Sequence, residues 1–231
     1  MAAIKVIKSI RLDSKGVRVK DANGSIVPLH KRQGDMDGAC AVYSLAMAML
    51  CMGVVTNEDL QIYNCADKRT RKGKLLSHFL EEQGLVRNGY SFVTMAKEIR
   101  ASNFNINAIR KNPKEYADVI NEIADFLDED NPVIISTEFG NGAHALLAIG
   151  YETEDNDDKI TKILCLDPSE EAPLYTYWNC IIDVSRTGGK LEYPFVYITS
   201  TQSYKVALGD ILVLLKTARL SAQMTRAAPP G

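Results

Sequence analysis

No stretch of the 231 residues approaches the roughly 18 apolar residues that a membrane-spanning helix needs, which excludes a helical span. Nor is there a long basic block. The 27 lysines and arginines are set against 29 acidic residues for a net charge of −2, so nothing recommends nucleic acid as a partner. Met1 to Asp13 carries Lys5, Lys8 and Arg11 but no sustained apolar region and no cleavage site, so no cleaved signal is expected. The expectation is a chain made for the cytosol, or exported as an effector without a cleaved signal. The five cysteines (Cys40, Cys51, Cys65, Cys165 and Cys180) are odd in number, widely spaced and without a C-x-x-C pair. That argues against a disulfide framework and for a reducing compartment. Zinc is equally unsupported: on one helix Cys40 and Cys51 would lie about 16 Å apart, at 1.5 Å per residue. Gly188-Gly189-Lys190 lacks the spacing of a phosphate loop. No repeat of solenoid length occurs. No metal or cofactor is called for.

Hydrophobic residues at 46% and charged residues at 24% are an ordinary globular mix, enough for one large domain or two tightly packed halves. Residues 4–32 alternate short β-like runs (Ile4 to Leu12, Val17 to Val19, Ser25 to Val27) with turns. Asn23-Gly24 gives a hairpin signal. His30, after Pro28, reads as an exposed loop histidine. Thr56 to Asp59 resembles a cap before a short helix, Leu60 to Cys65, and Lys68 to Lys74 reads as a solvated basic loop. Leu75 to Gln83 is amphipathic with His78 off its apolar stripe, and Tyr90 to Ala101 suits another helix. The clearest helical period is in Lys114 to Glu129: Tyr116, Val119, Ile120, Ile123, Phe126 and Leu127. Strands are expected near Pro132–Thr137, His144–Tyr151, Ile160–Leu166, Asn179–Val184, Leu191–Thr199 and Ile211–Lys216. Helices first and strands after is an α+β signature. Glu154 to Asp158 and Thr187 to Gly189 read as hairpin connections, and the tail from 221 to 231 as disordered.

Gln33-Gly-Asp-Met-Asp-Gly-Ala-Cys40 is a Gly/Asp-rich loop that breaks into an apolar run from Ala41 to Met52, closed by Gly53. A thiol in a first helical turn feels the positive end of the helix dipole, which favours the thiolate. Cys40 is therefore a candidate nucleophile, the alternative being a small buried hydrophobe on a core helix. Asp35 and Asp37 nearby oppose the thiolate unless solvated. About a hundred residues later comes Gly140-Asn-Gly-Ala-His144-Ala-Leu-Leu-Ala-Ile-Gly-Tyr151.

Together these stretches resemble the papain-like cysteine peptidases. Gln33-Gly34, Gly38-Ala39-Cys40 and Ala41-Val42-Tyr43-Ser44 follow Q-G-x-C-G-S-C-W-A-F-S with one extra loop residue. His144-Ala145-Leu146 and Ile149-Gly150-Tyr151 follow H-A-V-x-x-V-G-Y. The third family position falls on Asp167, in Ile163-Leu-Cys-Leu-Asp-Pro168, whose Asp-Pro form looks more like the bacterial double-glycine leader peptidases and papain-fold effectors. The resemblance implies an α+β papain-like domain over residues 1–220. A helical half, about 33–130, would pack on an antiparallel sheet or barrel half, about 131–216, with Cys40 and His144 on opposite walls of a cleft. Trp178 does not match the tryptophan that covers the papain dyad and reads as core.

The implied chemistry is hydrolysis of a peptide or protein substrate through a thioester. Cys40 is the nucleophile, His144 the base and acid, Asp167 the orienting group, and Gln33 with the Cys40 amide the oxyanion hole. In papain the thiol pKa falls to roughly 3–4 from about 8.5, so the resting pair is thiolate and imidazolium. The same triad also performs deamidation, transglutamination and acyl transfer, and a papain-like scaffold can serve as a non-enzymatic binding module. About 32 residues precede Gln33, fewer than an inhibitory propeptide takes, so control by a partner or narrow specificity is expected.

Overall fold

The computed structural model describes residues 2–34, 38–61, 67–82, 89–140, 142–154, 159–185 and 192–217. The chain opens with β1 (Ala3–Val6), followed by a separate three-stranded meander of β2 (Ile10–Asp13), β3 (Gly16–Lys20) and β4 (Ile26–Pro28). The single β-like run Ile4 to Leu12 is thus two strands in two sheets. The Asn23-Gly24 hairpin is present: Asp21 Oδ1 accepts from the Asn23 and Ser25 amides, and Gly24 takes φ +79°, the left-handed region that glycine enters without cost.

Helix α1 (Cys40–Cys51) is apolar on nearly every side, as a central helix must be. Leu45, Met47, Met49 and Leu50 are completely or almost completely buried, and each contributes about 1.5–3 kcal/mol of transfer free energy. Gly53 at φ +60° lets the chain turn away after it. Thr56 and Asp59 then exchange reciprocal cap bonds, leading into a 3₁₀ turn, Glu58–Leu60. Gln61 is extended, so the helix expected from Leu60 does not begin there, and residues 62–66 lie outside the described residues. The basic stretch is not simply loop. Thr70 caps α2 (Arg71–Leu76), Arg69 pairs with Asp67, and Lys72 pairs with Asp59. A π-turn, Ser77–Glu82, continues it. His78 is half-buried, with Nε2 3.2 Å from the Tyr90 hydroxyl, rather than a surface residue.

Ser91 caps α3 (Phe92–Ala101), and its amphipathic face buries Phe92, Met95, Ala96 and Ile99. Next comes β5 (Ile106–Lys111), a strand inside the segment expected to be helical. Helix α4 (Tyr116–Asp128) follows, buried through Val119, Ile120, Ile123, Ala124 and Leu127 as its period requires. The remaining strands are β6 (Val133–Phe139), β7 (Gly142–Thr153), β8 (Ile160–Leu166), β9 (Cys180–Asp183), β10 (Phe195–Thr199) and β11 (Ser203–Lys216).

Pairing is antiparallel throughout, and the order β7-β6-β11-β10-β9-β8 returns to β7, so six strands close on themselves. β1 adds to β7 beyond β6, and β5 adds to β11 beyond β10. The protein is α+β with a large antiparallel sheet, but its halves are not sequential. β1 and β5 come from the N-terminal part and complete the C-terminal barrel, because long β7 and β11 leave edges that must be paired. α1 packs on β7, β6 and β3. The connections at 155–158 and 187–189, and the tail from 218, lie outside the described residues.

Candidate active site

The site forms where β7 loses a neighbour. From Gly142 to Ala148 one edge of β7 pairs with β6, whereas β8 joins the other edge only from Leu147. The unpaired edge is filled by the start of α1. The Ala145 amide donates to Cys40 Sγ at 3.4 Å, and the Ala145 carbonyl accepts from buried Ser44 Oγ at 3.3 Å. Cys40 and Ser44 lie one turn apart on one helix face, so a single residue of β7 fastens that face. No side chain caps the helix; the Val42 and Tyr43 amides both donate to the Ala39 carbonyl, and the Ala41 amide is turned to the Cys40 thiol.

His144 stands next to this fastening, on the residue before Ala145. Thr137 Oγ1 donates to its carbonyl at 3.1 Å. Its Nε2 lies 2.8 Å from Asp167 Oδ1, with side chains 14% and 0% exposed. Nδ1 is the ring nitrogen left for the side-chain hydrogen bond with Cys40.

Asp167 follows the last residue of β8 and is held at every polar atom. Oδ1 accepts from His144 and from the Ser169 amide at 2.6 Å, and Oδ2 accepts from the Tyr197 hydroxyl. Its N–H donates to Asn179 Oδ1 at 2.7 Å. Its carbonyl accepts from Asn179 Nδ2 at 3.0 Å and from His30 Nε2 at 2.7 Å. Asn179 thus pairs with the Asp167 peptide as a neighbouring strand would. Its second Nδ2 hydrogen goes to the Glu171 carbonyl at 3.0 Å, so His30 is the Nε2–H tautomer. His30 is buried, contrary to its reading as an exposed loop residue.

Gln33 also reaches this loop. Its amide donates to the Pro168 carbonyl at 2.8 Å and its Nε2 to Ser169 Oγ at 2.8 Å, while Oε1 is buried without a partner. Ser169 Oγ is in turn 3.4 Å from His144 Nε2. Gln33 therefore meets the site on the Asp167 side, and no hydrogen bond joins it to Cys40. Asp35 and Asp37 lie outside the described residues. Trp178 is half-buried against the core.

Burial alone would push the Cys40 thiol up. The bond and charge of His144, with the Ala145 and Ala41 amides, outweigh it and hold the thiol below its usual value. Burial would likewise depress His144, yet Asp167 and Cys40 raise it to about 10. Burial would raise Asp167, but His144, the Tyr197 hydroxyl and the Ser169 amide bring it below the ordinary carboxylate range. All three shifts favour a thiolate, an imidazolium and a carboxylate in a row. Cys51, Cys165 and Cys180 are buried and pushed up, as structural thiols are. Among the described residues no group of three or more His, Cys, Asp or Glu side chains has a metal-binding arrangement.

Sequence reasoning brought Cys40, His144 and Asp167 to one place but missed Ser169, Asn179, His30 and Tyr197. Only Tyr197 carried a signal, since a tyrosine on an inward strand position needs a partner for its hydroxyl.

The sequence model of the Peptidase_C39 like family matches residues 25–182, more than half of the chain. No curated protein matches the sequence. Among solved structures, the crystal structure of UfSP from C. elegans is similar at 12% identity and a TM-score of 0.43, over 93% of this chain and 34% of that one. The chain thus spans about a third of that protein's length.

Proposed function

The chain belongs to the Peptidase_C39 like family, and we propose that it is a cysteine peptidase that cleaves a peptide bond through a thioester on Cys40. The observation that carries this reading is the unbroken row Cys40, His144, Asp167, with Nε2 of the middle member 2.8 Å from the last.

In the resting enzyme the Cys40 proton resides on His144, and Asp167 supports the resulting imidazolium. The thiolate attacks the scissile carbonyl carbon, forming a C–S bond as the C=O π pair moves onto oxygen. The Cys40 amide, a first-turn donor without a helical partner, faces that oxyanion. We assign the second donor position to Gln33, which keeps one Nε2 hydrogen beyond the one given to Ser169 and must turn from the Asp167 side to deliver it. The oxyanion collapses, the C–N bond breaks, and the His144 proton goes to the leaving amine. Water then attacks the thioester with His144 as base. The acid is released and the thiolate–imidazolium pair restored. Since Asp167 already holds Nε2, Nδ1 carries the proton in both halves.

The test is incubation with an acyloxymethyl ketone probe, which alkylates thiolates only within a competent site. Wild type should be labelled on Cys40 alone, and His144→Ala should lose labelling while remaining folded. Labelling spread over several cysteines, or unaffected by His144→Ala, rejects the assignment.

A further inference from the structure

The barrel interior behind Asp167 contains a residue that the proposed chemistry does not yet use. Tyr197 lies on β10 with only 1% of its surface exposed, and its hydroxyl donates to Asp167 Oδ2. Its ring stacks on Tyr204, directly opposite on β11, at 4.6 Å between centroids and 24° between planes. Tyr204 meets Phe139 edge-on at 5.7 Å. The phenol is thus clamped by aromatic packing, and its hydroxyl has little freedom.

Asp167 is completely buried. Bulk solvent does not reach the carboxylate, so its charge is supported by donors placed around it. Oδ1 has two donors, His144 and the Ser169 amide. Oδ2 has one side-chain donor, and it is Tyr197. Building on the cysteine-peptidase reading, we infer that Tyr197 is a positioning residue: it fixes the plane of the Asp167 carboxylate and keeps it charged, so that Asp167 can hold His144 as the partner of the Cys40 thiolate. Tyr197 has no contact with the Cys40 thiol; the thiol it meets is that of buried Cys180. It acts at two removes, through Asp167 and then His144.

A residue that only filled the barrel would affect stability and leave the proton balance of Cys40 alone. A positioning residue changes that balance. Tyr197→Phe keeps the ring, the stack and the volume, and removes one donor to a buried charge. Part of the thiolate–imidazolium population then reverts to neutral thiol and imidazole.

The experiment is the rate of Cys40 alkylation by iodoacetamide from pH 4 to 10, read by mass spectrometry of the intact folded chain, with melting temperature measured alongside. Relative to wild type, Tyr197→Phe should lower the rate at pH 6 about tenfold, as expected for loss of one hydrogen bond to a charged group. Its curve should rise again towards the pH of an ordinary thiol. Phe139→Leu, which leaves both tyrosine hydroxyls and the Asp167 donor in place, should retain the wild-type profile. In an Asp167→Ala background, Tyr197→Phe should have no further effect, because its only route to Cys40 has gone. A wild-type profile for Tyr197→Phe overturns the inference, as does an undiminished effect in the Asp167→Ala background. If wild-type Cys40 itself titrates as an ordinary thiol, the peptidase reading fails with it. If His144→Ala and Asp167→Ala alter the profile and Tyr197→Phe does not, only the role of Tyr197 fails. Should Tyr197→Phe not fold, protein labelled with 3-fluorotyrosine gives the answer by fluorine NMR. The Tyr197 resonance must move with the Cys40 titration, and a stationary resonance rejects the proposal.

Discussion

Replacing Asp167 by asparagine separates two resting states of the site. If His144 is already an imidazolium, both ring nitrogens carry protons and the carbonyl oxygen of asparagine can still accept the Nε2–H at 2.8 Å and the Ser169 amide at 2.6 Å. The new Nδ2 faces the Tyr197 hydroxyl, whose oxygen can accept in place of donating. The His144 and Ser169 bonds survive as neutral ones, while the Tyr197 O–H gives up its carboxylate acceptor. The loss is about 1–2 kcal/mol, or roughly 5–30-fold in the thiolate population. Asp167→Ala is different in kind. It strands the fully buried Tyr197 hydroxyl and the largely buried His144 Nε2–H, at about 1–3 kcal/mol each. Alkylation of Cys40 at pH 6 should then approach the floor for an ordinary thiol of pKa about 8.5, which is roughly 0.3% ionised there. Iodoacetamide kinetics at pH 6, with thermal melts as a folding control, measure both variants. If asparagine falls to the floor along with alanine, His144 rests neutral and has taken the wrong tautomer, as in a serine enzyme that loses about 10⁴ on the same change. If alanine leaves the rate at the wild-type level, Asp167 does not act on the pair at all.

A limiting dose of iodoacetamide at pH 6 should label Cys40 well ahead of Cys51, Cys165 and Cys180, which are buried and shifted upward; peptide mapping that finds equal labelling contradicts the assignment. Gln33→Ala should slow turnover of a cleaved peptide by about 10²–10³ with an unchanged melting temperature, whereas full activity makes its Ser169 bond purely structural. The ion pair also sets a pH window for stability. His144 is raised from 6.5 to about 10, so its contribution is complete below about 6.5 and is lost as pH climbs through 10. Asp167 is lowered, so its contribution is present above the ordinary carboxylate value of 3.8 and is lost as pH falls through its folded value. The difference in melting temperature between wild type and His144→Ala should therefore be largest between these limits, and a difference independent of pH argues against the pair. Gly150→Ala would put a Cβ 2.3 Å from the Lys5 carbonyl, so β1 must move; calorimetry should show a loss of about 1–3 kcal/mol, and an unchanged melt would mean β1 is not seated there.

What could be read from the sequence was whatever local chemistry dictates. Cys40 at a helix start, His144 near a strand start and Asp167 just past a strand end follow from breakers and periodicity within a few residues of each. The period through Tyr116, Val119, Ile120, Ile123 and Leu127 likewise gives α4, because one face of a helix must meet the core. What could not be read depends on partners distant in sequence. β5 is a strand because β11 runs long enough to offer Ile211 to Lys216 an unpaired edge, and nothing in Ile106 to Lys111 announces it. The edge of β7 that receives α1 exists because β8 starts late, a register fact invisible in either segment. His30 looked exposed because its partner, the Asp167 carbonyl, is 137 residues away. Asn179 looked like the start of a strand, while its carboxamide completes the loop that carries Asp167.

In the proposed resting enzyme Cys40 and His144 form an ion pair, which the thiolate absorbance of Cys40 reads out. It is taken as the ultraviolet difference between wild type and Cys40→Ser across a pH titration, which cancels the buried cysteines. The wild-type protein should show the thiolate already present at pH 6, and His144→Ala, still folded, should show it only as pH approaches or passes the ordinary thiol value of about 8.5. Superimposable titrations of the two proteins would mean that the motifs around Cys40 and His144 do not act on each other, and the account would fall.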